Sequence, residues 1–185
     1  MIRNCAGALI LTLFGTAAAM AESPSLNKPL PSLSIADKGE LVLENDNYSY
    51  QPWNSQDSLG AVHVLQYFAG TKSGSKIFEP FTDRLQVEFP EGGYHVTTVI
   101  NLDDAMWGTS RFVISEVKAS KREFPAATIV LDEEGTGKKT WELGKKGAVL
   151  AVMDRAGSVI YLSHDSLSEQ EMLATLALMK KNIES

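Results

Sequence analysis

Hydrophobic and polar positions alternate along most of the chain in short apolar runs separated by polar turns. The predicted strands are residues 33–36, 40–43, 48–53, 61–68, 94–101, 127–131, 148–153 and 158–162. The run over 61–68 is apolar on nearly both faces, which is typical of a central parallel strand. The first three strands, with a turn at 37–39, should form a sheet edge, and the last two should form a hairpin around 154–157.

Three other segments carry apolar residues at helical spacing. In the segment 74–87, Pro80 either kinks the helix or marks its true start. The segment 109–124 should end at Pro125. The last helix begins with a capping box, in which Ser168 and Glu171 satisfy each other's backbone donors. Parallel strands joined by helices, followed by a hairpin, predict an α/β fold: a mixed sheet with helices on both faces and an N-terminal β extension.

The N-terminus has the pattern of an export signal. Arg3 precedes an apolar run that ends in an A-x-A cleavage pattern at 19–21, so we predict a signal peptide over 1–21 with cleavage after Ala21. Residues 22–31 contain proline and serine without periodicity and predict an extended lead-in segment. Residues 32–185 are then one domain. The expected location is the bacterial periplasm, with no stable membrane span after cleavage.

Cysteine and charge content narrow the classes of function. The only cysteine, Cys5, would leave with the signal, so the mature chain could form neither a disulfide nor a thiolate site. Only Arg3 among the charged residues would leave with it, which takes the net charge from −6 to −7. An acidic chain without a basic stripe is a poor partner for nucleic acid.

The sequence at 135–140, GTGKKT, is similar to a phosphate-binding loop but lacks its spacing. Asp132 stands where the first glycine belongs, and Lys139 stands where the hydroxyl belongs. We therefore predict a β-turn there and a short strand over 138–143.

The three histidines, His63, His95 and His164, lack the spacing of a zinc site. We expect the strand histidines to be structural. A long-range cluster with Asp103 and Asp104 stays open as an alternative.

The turn between the strand at 61–68 and the following helix is the first candidate site. Its glycines, serines and two lysines favour either a small-anion or carboxylate pocket or a solvated capping loop with Ser73 or Ser75 as N-cap. We favour capping, because it accounts for the same residues. The candidate ligand-binding residues here are Thr71, Lys72, Ser73, Ser75 and Lys76.

Asp103 and Asp104 form the second candidate site. They follow the strand at 94–101, at the sheet edge where α/β proteins bind ligands, and should be neighbours of the first site. They could bind a cation or position a substrate, although acidic loop starts usually cap helices. Trp53 and Trp107 would form a binding groove if both lay on one surface, but we expect them and Trp141 to be core residues.

With these elements placed, the chain resembles the thioredoxin-like superfamily, and within it the YtfJ family of uncharacterised periplasmic proteins, over roughly residues 30–183. The resemblance rests on the order of VLQYFAGTKSGS, VTTVINLDDA, KREFP and VLAVMDRAGSV. It implies a thioredoxin-like fold. Ser73 and Lys76 fall where redox members carry their two cysteines, and Ala148 falls where they carry a cis-proline. Ala148 is therefore included among the candidate site residues.

The expected function is a binding or interaction module without redox activity. No catalytic residue, metal or cofactor is assigned, and the expected partner is a periplasmic protein, a peptide or a small anion. An alternative is a non-thiol, possibly metal-dependent enzyme using Ser73, Asp103, Asp104 or a histidine. A transcriptional-regulator role associated with the family conflicts with an export signal and an acidic chain.

Overall fold

The computed structural model describes residues 21–57, 60–105, 108 and 110–185. The predicted signal peptide, apart from Ala21, lies outside these residues, and so does Trp107. The strands are β1 (Ser34–Glu44), β2 (Asn47–Asn54), β3 (Val62–Ala69), β4 (Tyr94–Asn101), β5 (Thr128–Asp132), β6 (Val149–Met153) and β7 (Val159–Ser163). The helices are α1 (Lys72–Ser75), α2 (Glu79–Glu88), α3 (Ser110–Glu123), α4 (Thr136–Thr140) and α5 (Glu169–Glu184).

The strands form one mixed sheet in the order β2-β1-β5-β4-β3-β6-β7. β3, β4 and β5 run parallel, and the remaining neighbours pair antiparallel. The chain steps from β3 to β4 to β5 in one direction, and right-handed crossovers therefore put α2 and α3 on the same face. The predicted mixed sheet is confirmed, with β1 and β2 as its N-terminal extension at one edge.

Two hydrophobic clusters cover the two faces of the sheet. The first joins α2, α3 and α5 to the sheet through residues such as Leu85, Val117 and Met179. The second contains Trp53 and Trp141, both buried as expected, together with Leu30 of the lead-in segment. That segment also bonds to β7, since Asn27 N donates to Val159 O and Val159 N donates to Lys28 O.

The N-terminal strands differ from the prediction. The two strands predicted at 33–36 and 40–43 are one strand, β1, whose register shifts between Ile35 and Glu40. The predicted turn at 37–39 is thus a bulge inside a continuous strand. Gly39 has a φ of 72°, and a Cβ there would lie 2.1 Å from Gln51 O.

Two segments differ from the predicted elements, although the alternative that Pro80 marks the true start of its helix is confirmed. The helix predicted over 74–87 is two helices, and Pro80 stands in the first turn of α2, which is the second of the two alternatives. The β-turn at 135–140 and the strand at 138–143 are replaced by α4, which is preceded by Gly135 in the left-handed region. The capping box at Ser168 and Glu171 is confirmed.

His63 and His95 lie opposite each other on β3 and β4, with ring centroids 5.3 Å apart. His63 Nε2 lies 2.9 Å from Thr97 Oγ1, and His95 Nε2 lies 2.9 Å from Thr128 Oγ1. Burial, followed by the charge of His95, lowers the pKa of His63 from 6.5 to about 3. Burial is also the main cause that lowers the pKa of His95. The pair therefore stays neutral inside the folded protein at neutral pH.

This histidine pair predicts a loss of stability in acid. Between pH 6.5 and about 3 the unfolded chain binds a proton at His63 that the folded chain does not bind, so stability falls as the pH falls through this window. Replacing His63→Gln should reduce the loss between pH 7 and pH 4.5 by about 2 kcal/mol. Urea unfolding at the two pH values measures the free energy of unfolding and hence this loss. His164→Gln is the control, because His164 is exposed. Equal losses in wild type and His63→Gln would contradict this account.

Candidate functional site

The candidate site residues lie at the edge of the sheet formed by the carboxyl ends of β3, β4 and β5. Residues 70–76 follow β3, residues 102–105 follow β4, and residues 133–138 follow β5. β6 runs antiparallel to β3, so Ala148, which directly precedes β6, lies at the same edge. Gly70 N donates to Asn101 O at 2.7 Å, which joins the first two loops as the topology predicted.

The turn after β3 is a capped single turn of helix. Thr71 is its N-cap: its Oγ1 accepts from Gly74 N at 3.0 Å, and its carbonyl accepts from Ser75 N. The N-cap predicted at Ser73 or Ser75 is therefore wrong, because the helix begins earlier, at Lys72. A Cβ on Gly74 would lie 2.1 Å from Ala69 O, so only glycine allows this close approach.

The loop after β4 is organised by a fully buried asparagine. Asn101 Oδ1 accepts from Asp103 N at 2.9 Å, and its Nδ2 donates to Asp104 Oδ2 at 2.9 Å. Lys138 Nζ donates to both carboxylate oxygens of Asp104 at 2.8 Å. Asp104 thus forms an internal ion pair with Lys138. Asp103 is exposed and borders a separate hollow of about 510 Å³ beside Gly135.

A hydrogen-bond network surrounds Asp132 at the end of β5, and it was not predicted from the sequence. This carboxylate is fully buried and accepts from Tyr67 Oη, Thr136 N and Gly137 N, each at 2.8 Å. Tyr67 Oη in turn accepts from Lys138 N at 3.0 Å. The amides of the loop that is similar to a phosphate site therefore bind the protein's own carboxylate. An aspartate three residues before a Gly-Thr-Gly turn is the sequence signal that could have indicated this cap.

The environment of Tyr67 keeps its hydroxyl protonated. Burial, followed by the charge of Asp132 and the hydrogen bond to it, raises the pKa of Tyr67 well above its ordinary value. The ring also fixes the neighbouring loop, because a Cβ on Gly137 would lie 2.4 Å from Tyr67 Cε2. The phenol acts here as a hydrogen-bond bridge between β5 and α4.

Ala148 is buried directly before β6. Its carbonyl lies 3.0 Å from His164 Nδ1, which donates to it. No cis peptide bond occurs among the described residues. His164 is thus the one histidine at this edge, whereas His63 and His95 lie on the earlier part of their strands.

A groove of about 1300 Å³ starts at the turn after β3 and runs between α2 and α3 over β4. Thr71, Lys72, Ser75 and Lys76 line its mouth. The structure thus divides the predicted site residues: these four border the groove, whereas Ser73, Asp103, Asp104 and Ala148 do not. The groove is a gap between two helices that are separate in sequence, and no local pattern indicates it.

In residues 21–57, 60–105, 108 and 110–185, no three His, Asp or Glu side chains come together in a way that could hold a metal ion. None of the helices in that part of the chain has the length and apolar character needed to cross a membrane.

The Asp132 network predicts a specific cost for removing one hydroxyl. In Tyr67→Phe, Asp132 loses a donor and Lys138 N loses its buried acceptor, so the free energy of unfolding should fall by about 1–3 kcal/mol. Denaturant unfolding measures it. Tyr50→Phe is the matched control, because Tyr50 is partly exposed on the edge strand β2. Similar changes in the two variants would show that the network contributes no stability.

The sequence matches one family of bacterial proteins over most of its length. The profile of the family described as "Bacterial protein of unknown function (YtfJ_HI0045)" matches residues 25–182. The uncharacterised protein YtfJ of Escherichia coli is 31% identical over 153 residues, which cover 82% of this chain and 83% of that protein. An uncharacterised protein of Haemophilus influenzae is 30% identical over 173 residues, covering 93% and 94%.

A solved structure supports the fold. The thioredoxin domain of a thiol-disulfide oxidoreductase from Bacteroides vulgatus superposes with a TM-score of 0.55 at 14% identity, covering 84% of this chain and 98% of that one. At this identity the likeness concerns the fold alone, and it confirms the thioredoxin-like prediction. The family match confirms the resemblance drawn from the motifs, and the chain belongs to the YtfJ family of bacterial proteins of unknown function.

Proposed function

We propose that this protein is an exported binding module without redox activity, which holds its ligand at the turn after β3 and in the adjoining groove. The groove of about 1300 Å³ is the observation that carries the proposal. The chain has one cysteine, at position 5, and residues 6–185 contain none. A single thiol cannot form the intramolecular disulfide on which dithiol exchange depends.

The lysines at the groove mouth support a ligand with a negative charge. Lys72 and Lys76 are exposed, and no carboxylate of the described residues lies within ion-pairing distance of either. On the other side of the same edge, the loop amides and Lys138 are already bonded to Asp132 and Asp104. A carboxylate or another small anion, free or on a peptide, suits the lysine side best.

Export is part of the proposal and rests on the signal-like pattern of residues 1–21, with which the position of Glu22 is consistent. Its backbone nitrogen donates to Thr140 O at 2.9 Å. Cleavage after Ala21 would place the new α-ammonium group against this carbonyl. The lead-in segment would therefore keep its contacts in the cleaved protein.

The processing site can be checked directly. N-terminal sequencing of the protein recovered from the periplasmic fraction of the source bacterium should begin at Glu22. Recovery in the cytoplasm with Met1 to Ala21 attached would contradict export.

The lysines at the groove mouth predict a loss of binding on neutralisation. Immobilised wild type and the double variant Lys72→Ala with Lys76→Ala are compared for capture of periplasmic ligands, quantified by mass spectrometry. Two exposed charges at about 0.7 kcal/mol each correspond to about a tenfold weaker capture. Lys180→Ala with Lys181→Ala, on exposed positions of α5, is the matched control. Unchanged capture of every ligand by the first double variant would show that the lysines at the groove mouth do not bind it.

A further inference from the structure

We propose that the groove between α2 and α3 binds an extended peptide with apolar side chains, whose C-terminal carboxylate lies at Lys72 and Lys76. This inference rests on the proposed binding function and names its ligand class.

The floor is the part of β4 that the helices leave uncovered. Side chains alternate between the two faces of a strand, so Tyr94, Val96, Thr98 and Ile100 point to the helical face. The first three are only half-buried, whereas Ile100 is buried. The gap between α2 and α3 therefore exposes a strip of sheet about five residues long.

The walls carry aromatic side chains that water-soluble proteins normally cover. Phe112, in the first turn of α3, is 73% exposed, and Phe124 beyond its end is 43% exposed. Both line the groove, together with Phe89. Exposed aromatics beside an apolar floor are typical of a binding surface.

Polar side chains along the groove favour a peptide over an acyl chain. Gln66 Nε2 donates to Thr98 Oγ1 at 2.7 Å in the floor. Thr82, Gln86 and Ser120 line the walls. A peptide backbone can exchange hydrogen bonds with such groups along its length, whereas a hydrocarbon chain would cover them without replacing their bonds to water.

The charges indicate the direction of the peptide. The two lysines stand at the mouth, while Asp83 on α2 and Glu116 and Glu123 on α3 line the walls. A free carboxylate fits the lysine end, and amide groups or basic side chains fit the acidic walls. The volume, about 1300 Å³, is also larger than the roughly 300–1,000 Å³ of most small-molecule pockets.

The test uses acetylated, randomised pentapeptides with free carboxyl ends and a second pool with amidated ends. Wild-type protein should retain the acid pool with enrichment in Leu, Ile and Phe, and it should retain the amide pool about fivefold less. Thr98→Trp fills the floor and should abolish retention. Phe112→Ala removes an exposed wall residue without disturbing the core and should reduce retention severalfold. Val87→Ala is its matched control, because Val87 is 75% exposed on α2 but does not line the groove.

The outcomes separate this inference from the broader proposal. If Phe112→Ala and Thr98→Trp retain the acid pool at the wild-type level, the groove does not bind the peptide. Dodecanoate serves as the probe for an acyl chain, and its binding while neither peptide pool is retained would also contradict the inference. Ligand capture that depends on Lys72 and Lys76 would in either case still support the proposed binding function. If that capture is also unchanged, the proposed function fails as well.

Discussion

The buried carboxylate of Asp132 is the constraint on which the functional edge of this protein depends. An ionised carboxylate removed from water costs several kcal/mol unless its oxygens are fully bonded. Tyr67 from the centre of the sheet and the first amides of α4 supply those bonds. One side chain therefore fixes the end of β5, the start of α4 and the position of Lys138.

This arrangement supports the proposed position of the ligand. Carboxyl ends of parallel strands usually present free amides and polar side chains to a ligand. Here the amides beyond β5 bind Asp132, and the ammonium group of Lys138 binds Asp104. These loop amides and Lys138 are therefore bonded within the protein, whereas Asp103 is exposed beside a smaller hollow. The exposed lysines beyond β3 border the larger groove, in which we propose that the ligand binds.

The sequence predicted the features that depend on local patterns. The buried strand β3, the stop before Pro125 and the capping box at Ser168 each follow from neighbouring residues. Helix α4 follows only in part from its neighbours, through the cap by Asp132. It also depends on distant residues, because Tyr67 Oη accepts from Lys138 N and the buried Trp141 donates through Nε1 to Pro31 O at 3.0 Å.

The candidate site shows the same division. The sequence identified the turn after β3 as the neighbour of the loop after β4, since strand order and direction bring them together. The sequence could not show that Lys72 and Lys76 border the groove while Asp103 and Asp104 do not. That difference depends on which residues lie close to each charged side chain in the folded protein. The groove depends on the distance between α2 and α3, and that distance is set only when both helices pack on the folded sheet.

The most direct test is a map of backbone amide chemical shifts by NMR during titration with the free-acid pentapeptide pool. The account predicts that shifts change in residues 71–76 and 94–100 and along the facing sides of α2 and α3, while the amides of Thr136 and Gly137 stay unchanged because Asp132 holds them. Changes centred on Thr136 and Gly137, with the groove unaffected, would show that the edge beyond β5 binds the ligand and would contradict the account.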